Sequence, residues 1–126
     1  HPEVLSADVV VALSQEAYHK FSKTVHSGGL LIVDEDHVAV RTDFAGVKVP
    51  IARIAQEATG RPITANTVAL GVLVGMTGIV SKDALEKAVI ARAPKGTEEM
   101  NRKALAAGYA AAEGRWWDRP AGGSPR

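Results

Sequence analysis

Residues 66–78, Asn66-Thr67-Val68-Ala69-Leu70-Gly71-Val72-Leu73-Val74-Gly75-Met76-Thr77-Gly78, constrain the fold more than any other stretch. The run reads as a short helix with almost no polar face, opened by Asn66 as a cap and closed by Gly78. A helix that is apolar all round must be buried on every side. At about a dozen residues it is shorter than the roughly 20 a bilayer span needs. It therefore belongs in a protein core or an intersubunit seam. Gly71 and Gly75 stand one turn apart on one face. They let a second backbone approach closely, which makes both interface candidates.

The rest of the chain supplies a setting for that helix. Residues 7–13 form a continuous β-branched run, as in strands of a parallel sheet buried on both faces. Ser14 is placed to cap a helix, with Glu16 in its first turn and Ala17, Phe21 and Val25 on its inner face. Ser27-Gly28-Gly29 reads as a tight turn, and residues 30–33 as the second buried strand. This is a βαβ unit. Residues 38–41 are a candidate edge strand and residues 47–49 a third core strand. Pro50 suits the first position of a helix whose stripe is Ile51, Ile54, Ala55 and Ala58, with Gly60 beyond its end. Ser81 opens a further helix with Leu85, Ala88 and Val89 inside. Thr97 opens the last, with Leu105, Gly108, Tyr109 and Ala112 inside.

The pattern predicts an α/β, three-layer Rossmann-like domain with a mostly parallel sheet and a helical C-terminal half. The chain starts His1-Pro2-Glu3 and enters a strand within a few residues. It is therefore expected to lack the N-terminal part of its domain. Residues 1–113 are read as the C-terminal two-thirds of that domain. Residues 114–126, rich in Arg, Trp, Pro, Gly and Ser, are read as a flexible or docking tail.

Few side chains suggest chemistry. Without cysteine the chain offers no thiol nucleophile and no thiolate ligand for zinc or an iron–sulfur cluster. A net charge of +1 argues against nucleic acid and anionic membranes as partners. No signal peptide or membrane span is visible, and a cytoplasmic location is expected. Asp34, Glu35 and Asp36 cluster with His37 after the second strand. A solvated turn is the plain reading. Asp34 keeps weight as a cofactor-site candidate because ligands of open α/β sheets gather at the strand carboxyl ends. The four histidines lack metal-site spacing. Ser14 lacks the flanking glycines of a nucleophile elbow. Asn66 caps, or faces a neighbouring active site as a second weak cofactor-site candidate. Trp116 and Trp117, between Arg115 and Arg119, are of the types enriched in interface anchors, or they pack on the last helix.

Three segments together resemble the gamma subunit or domain of the 2-oxoacid:ferredoxin oxidoreductases, a family that includes pyruvate, 2-ketoisovalerate, 2-oxoglutarate and indolepyruvate enzymes. They are Ala7-Asp8-Val9-Val10-Val11-Ala12-Leu13-Ser14-Gln15-Glu16-Ala17-Tyr18, then Ser27-Gly28-Gly29-Leu30-Leu31-Ile32-Val33-Asp34, and then Pro62-Ile63-Thr64-Ala65-Asn66-Thr67-Val68-Ala69-Leu70-Gly71 with Thr77-Gly78-Ile79-Val80-Ser81. Ser27 stands where the family usually has Pro. The similarity continues through Asn101 and Lys103 to Gly108-Tyr109. The family's opening glycine-rich segment is absent.

The resemblance implies a non-catalytic subunit of an enzyme that oxidatively decarboxylates a 2-oxoacid with coenzyme A to an acyl-CoA and passes electrons to ferredoxin. It implies thiamine diphosphate and 4Fe-4S clusters on alpha and beta subunits, with a delta subunit as an optional further partner. No catalytic residue and no metal ligand is assigned to this chain. Two rivals differ in class. A class I S-adenosylmethionine-dependent methyltransferase fragment would share the strand–helix–strand start but should end in an antiparallel strand pair. A non-catalytic interaction module would use the apolar helix simply as core.

Overall fold

The computed structural model describes residues 7–117. They fall into two compact units that divide after Pro50.

The first unit opens with β1 (Ala7–Ala12), α1 (Gln15–Phe21), a single 3-10 turn (Ser22–Thr24) and β2 (Val25–Asp34), and closes with β3 (Val47–Val49). The sheet is parallel throughout, in the order β1-β2-β3, as the unbroken apolar runs predict. Ser14 caps α1 as expected, its Oγ accepting from the Ala17 N–H at 3.1 Å. The inner face differs from the expectation. The helix has only seven residues and its buried residue is Tyr18, whereas Phe21 is exposed and Val25 already belongs to β2. Tyr18 joins Ala12, Val33 and Val38 in the core, with Phe44 edge-on to its ring.

Gly28-Gly29 is not a turn. It lies inside β2, where the pairing steps from Ala7↔Val25 to Val9↔Leu30. Between these pairs four residues of β2 (26–29) oppose one of β1 (Asp8), a bulge, and Gly28 takes a φ of 83° there. Residues 38–41 form no strand. The loop is instead fastened to α1: Gln15 accepts from the Ala39 N–H at 2.6 Å and donates to the Ala39 carbonyl at 2.9 Å. The Tyr18 hydroxyl accepts from the Arg41 N–H at 3.1 Å.

The second unit is helical: α2 (Ile51–Thr59), a 3-10 turn (Pro62–Thr64), α3 (Ala65–Thr77), α4 (Lys82–Arg92) and α5 (Glu98–Ala112). Pro50 precedes α2 by one position, and Ile51 and Ala55 are its buried residues. Ser81 caps α4 through the Ala84 N–H at 3.0 Å. Leu85 is buried there, but Ala88 is exposed. The apolar helix α3 ends on Gly78 with φ 63°, its N–H bonded to the Val74 carbonyl. Seven of its 13 residues are buried and four are partly buried, while Asn66 and Leu70 are exposed, Leu70 at 41%. No helix among the described residues is long and apolar enough to cross a membrane.

Candidate functional site

The helices α3 and α5 meet backbone to backbone. A methyl carbon built on Gly71 would stand 2.7 Å from the Leu105 carbonyl oxygen and 3.0 Å from the Gly108 Cα. One built on Gly108 would stand 2.3 Å from the Val68 carbonyl oxygen. One on Gly75 would lie 2.7 Å from the Ala112 Cβ. The close approach expected at Gly71 and Gly75 is made to this chain's own α5. Sequence reasoning read the glycine face of α3 but not its mate, because Gly108 lies 37 positions further on (108 − 71). The seam is also tied by side chains: the Thr67 hydroxyl donates to Asn101 Oδ1 at 3.0 Å, and Asn101 Nδ2 donates to the Thr97 carbonyl at 3.0 Å.

At the far end of the seam the chain turns back. Gly114 takes φ 79°, the Arg115 N–H bonds to the Ala112 carbonyl at 2.9 Å, and the Trp117 N–H donates to the Met76 carbonyl at 3.1 Å. That bond satisfies a carbonyl in the last turn of α3, a group that helix ends leave without an intrahelical partner. Trp116 comes to rest at Gly78, with its ring carbon 3.2 Å from where a Cβ would be. The two tryptophans thus separate in role. Trp117 is half-buried and backbone-tethered, while Trp116 is 52% exposed. Residues 118–126 of the expected tail lie outside the described residues.

Under the returning chain lies a cavity of about 570 Å³, lined by Gly75, Lys82, Tyr109, Glu113, Arg115 and Trp116 among others. Lys82 Nζ stands 4.7 Å over the Tyr109 ring centroid, a cation–π contact. The Tyr109 hydroxyl oxygen is buried without a hydrogen-bond partner. Burial, and after it the nearby Glu86 carboxylate, push its pKa above the ordinary 10.0. Sequence reasoning placed Tyr109 on the inner face and Arg115 beside the tryptophans. Lys82 gave no signal beyond following a helix cap.

The two cofactor-site candidates sit elsewhere. Asp34 is at the carboxyl end of the central strand and only 1% exposed. Its Oδ1 accepts from the N–H groups of Asp36 and His37 at 2.9 and 3.1 Å and lies 3.0 Å from His37 Nδ1. The carboxylate closes the turn that follows β2, and it is buried where the sequence suggested a solvated turn. No group of three or more His, Asp or Glu among the described residues could hold a metal ion.

Asn66 is not the cap of α3. The Pro62–Thr64 turn moves the helix start to Ala65, so Asn66 lies in the first turn, exposed. Thr64 takes the cap position without a side-chain cap bond, because its hydroxyl donates to the Arg61 carbonyl at 2.7 Å.

These features define an α/β protein with a parallel sheet in one unit and a glycine-fused helix pair in the other. Residues 1–111 match the pyruvate ferredoxin/flavodoxin oxidoreductase family, and the chain belongs to it. The 2-oxoglutarate synthase subunit KorC of Methanocaldococcus jannaschii is 44% identical over 116 residues, covering 89% of this chain and 62% of that protein. Among solved structures, the gamma subunit of a keto/oxoacid ferredoxin oxidoreductase from Geobacter sulfurreducens PCA superposes with a TM-score of 0.77 at 43% identity, over 83% of this chain and 63% of that one. Pyruvate oxidoreductase subunit PORC from Thermotoga maritima superposes at 0.62 and 29% identity, over 86% of this chain and 65% of that one. The chain thus spans about three-fifths of the length of these relatives. The methyltransferase rival finds no support, and every element after β3 is helical among the described residues.

Proposed function

We propose that this chain is gamma-subunit material of a 2-oxoacid:ferredoxin oxidoreductase, with 2-oxoglutarate as the oxoacid. The observation that carries the reading is the 44% identity to a 2-oxoglutarate synthase subunit across nearly the whole chain. In this reading the assembled enzyme decarboxylates 2-oxoglutarate with coenzyme A in the cytoplasm and hands the electrons to ferredoxin. Thiamine diphosphate and 4Fe-4S clusters belong to the alpha and beta subunits, since a chain without cysteine has no thiolate for a cluster. A delta subunit is an optional further companion in this reading.

The role of this chain is architectural: it packs against the subunits that do the chemistry. Asn66, exposed on the first turn of α3, is the residue we assign to face a neighbouring site. Asp34 serves its own turn. The test is to purify the protein untagged from its own cells, identify every co-purifying chain, and measure ferredoxin reduction with 2-oxoglutarate and coenzyme A. Companion chains with a thiamine site and cysteine-ligated clusters, and a higher kcat/KM for 2-oxoglutarate than for pyruvate, are expected. A preference for pyruvate would overturn the substrate, and a lone chain would overturn the function.

A further inference from the structure

Helix α4 is bound to the rest of its unit by little besides one side chain. Of its 11 residues only Leu85 is buried, against seven of 13 in α3. Leu85 packs with Val74 of α3 and Leu105 of α5, and Val89 and Tyr109 flank that cluster, only partly buried. Both ends of α4 are undercut. The cavity of about 570 Å³ lies beside Lys82 in the first turn. A second, of about 290 Å³, separates Val89 and Arg92 near the other end from Thr67 and Leu70 of α3 and Asn101 of α5. Gaps of this kind forfeit the dispersion contacts that a packed interior makes. Among the described residues two polar links join α4 to α5. One is the cation–π contact of Lys82 with Tyr109. The other is the ion pair of Glu86 with Arg102 at 3.5 Å, whose partners are both exposed. Exposed pairs hold little.

As a helix in its own right α4 is well furnished. Ser81 caps it, Asp83 stands in its first turn and Arg92 in its last, and Asp83 pairs with Lys87 at 3.1 Å. Its connections are built as hinges. Before it, Gly78 takes φ 63° and residues 79–81 are exposed. After it, Gly96 takes φ 91° with open space where a Cβ would stand. The bonds of that second connection are local: the Thr97 N–H donates to the Pro94 carbonyl at 3.0 Å and the Gly96 N–H to the Glu98 carboxylate at 2.9 Å. Elements with few buried contacts open at a fraction of the free energy of global unfolding.

We propose that α4 is a hinged lid on the α3–α5 pair. It opens as one unit about residues 78–81 and 93–97 while the glycine seam stays closed, with Leu85 as its latch. Opening uncovers an apolar strip made of Leu73, Val74, Leu105 and the Tyr109 ring.

Thiol labelling of the full chain tests this, since the chain has no cysteine of its own. Val74→Cys puts a thiol beneath the lid. Val72→Cys, at a fully buried position of the same helix outside the Leu85 cluster, reports opening of the whole unit. Under native conditions the Val74→Cys chain should label faster than the Val72→Cys chain by about tenfold or more. Adding Leu85→Ala should speed the Val74→Cys chain by about another tenfold or more. Arg102→Lys supplies an amine beside Glu86, and a water-soluble carbodiimide then ties α4 to α5 through an amide. That tie, verified by peptide mapping, should slow the Val74→Cys chain to the Val72→Cys rate. Equal rates at the two positions without the tie would overturn the lid, because α4 would then leave the pair only when the unit unfolds. Fast labelling that the tie leaves unchanged would overturn it as well, because the reagent would reach α3 by a route that does not involve α4.

Discussion

Replacing Gly108 by Ala is the sharpest test of how this molecule holds together. The added methyl carbon would stand 2.3 Å from the Val68 carbonyl oxygen, 2.8 Å from the Gly71 Cα and 2.9 Å from the Val72 nitrogen. All three are backbone atoms, so no rotamer change can make room. Ordinary contact begins at 3.4 Å. The helices must therefore part locally by about 1 Å, a gap that forfeits a quarter to a half of the dispersion energy of each contact it opens. Overfilling a packed interior costs about 1–3 kcal/mol, and a rigid backbone neighbour puts this site at the upper end. The higher helix propensity of Ala returns up to about 1 kcal/mol. The net expectation is a loss of about 2 kcal/mol, which lowers the melting temperature of a unit this size by about 8–16 °C.

Scanning calorimetry of Gly108→Ala against wild type reads this directly. Ala106→Gly, exposed on the same helix, is the control and should cost only about 0.5–1 kcal/mol. Gly71→Ala should destabilise in the same direction. The double variant should lose less than the sum of the two, because one separation of α3 from α5 relieves both clashes. A melting temperature at or above wild type for Gly108→Ala would refute the backbone contact and the interior reading of α3.

Other perturbations isolate single features. Tyr109→Phe removes a buried hydroxyl that has no partner, and should be neutral or stabilising by up to about 1–3 kcal/mol in urea denaturation; a clear loss would reveal a hidden partner. The same variant should flatten the alkaline limb of stability. Folding raises the phenol's pKa, so wild-type stability is full below pH 10.0 and falls as pH rises through the folded value, where the unfolded chain has already released its proton. Asn66→Ala should move stability by only a few tenths of a kcal/mol, whereas Ser81→Ala should cost about 1 kcal/mol; equal losses would restore Asn66 as a cap. Gln15→Leu should cost about 1–2 kcal/mol and speed amide exchange at Ala39, since both of its bonds to that residue vanish together; unchanged exchange would show that the loop after β2 is held by other contacts.

What the sequence disclosed divides by distance along the chain. Ser14 and Ser81 were legible as caps because a capping oxygen and the N–H that donates to it lie three residues apart. The parallel sheet was legible because strands buried on both faces need unbroken apolar runs. The errors have the opposite cause. Asn66 lost the cap position to a 3-10 turn that Pro62 begins, and Thr64 inside that turn spends its hydroxyl on Arg61. Gly28-Gly29 resembles a turn locally. Only the register against β1 makes it a bulge. Residues 38–41 carry strand-like side chains, yet Gln15, 24 positions away, fills the hydrogen bonds of Ala39. The candidate site was hidden for the same reason, since Lys82, Tyr109 and Arg115 converge from α4, α5 and the chain beyond it.

The seam also bears on how a chain of this kind can serve an assembly. A nearly all-apolar helix looks like the ideal surface to offer a partner. Here that surface is already consumed: Gly71 and Gly75 close on α5 so tightly that no second chain could insert between them without unfolding the pair. The large apolar side chains that the helical unit leaves exposed are Leu70, Ile63 on the turn before α3, Ile79, Val80 and Trp116. Leu70 and Ile63 stand as separate residues, and scattered apolar residues are ordinary on any surface. Small residues fuse α3 to α5 into a stiff support, and beyond its end the Trp117 N–H is bonded to the Met76 carbonyl while Trp116 stays 52% exposed.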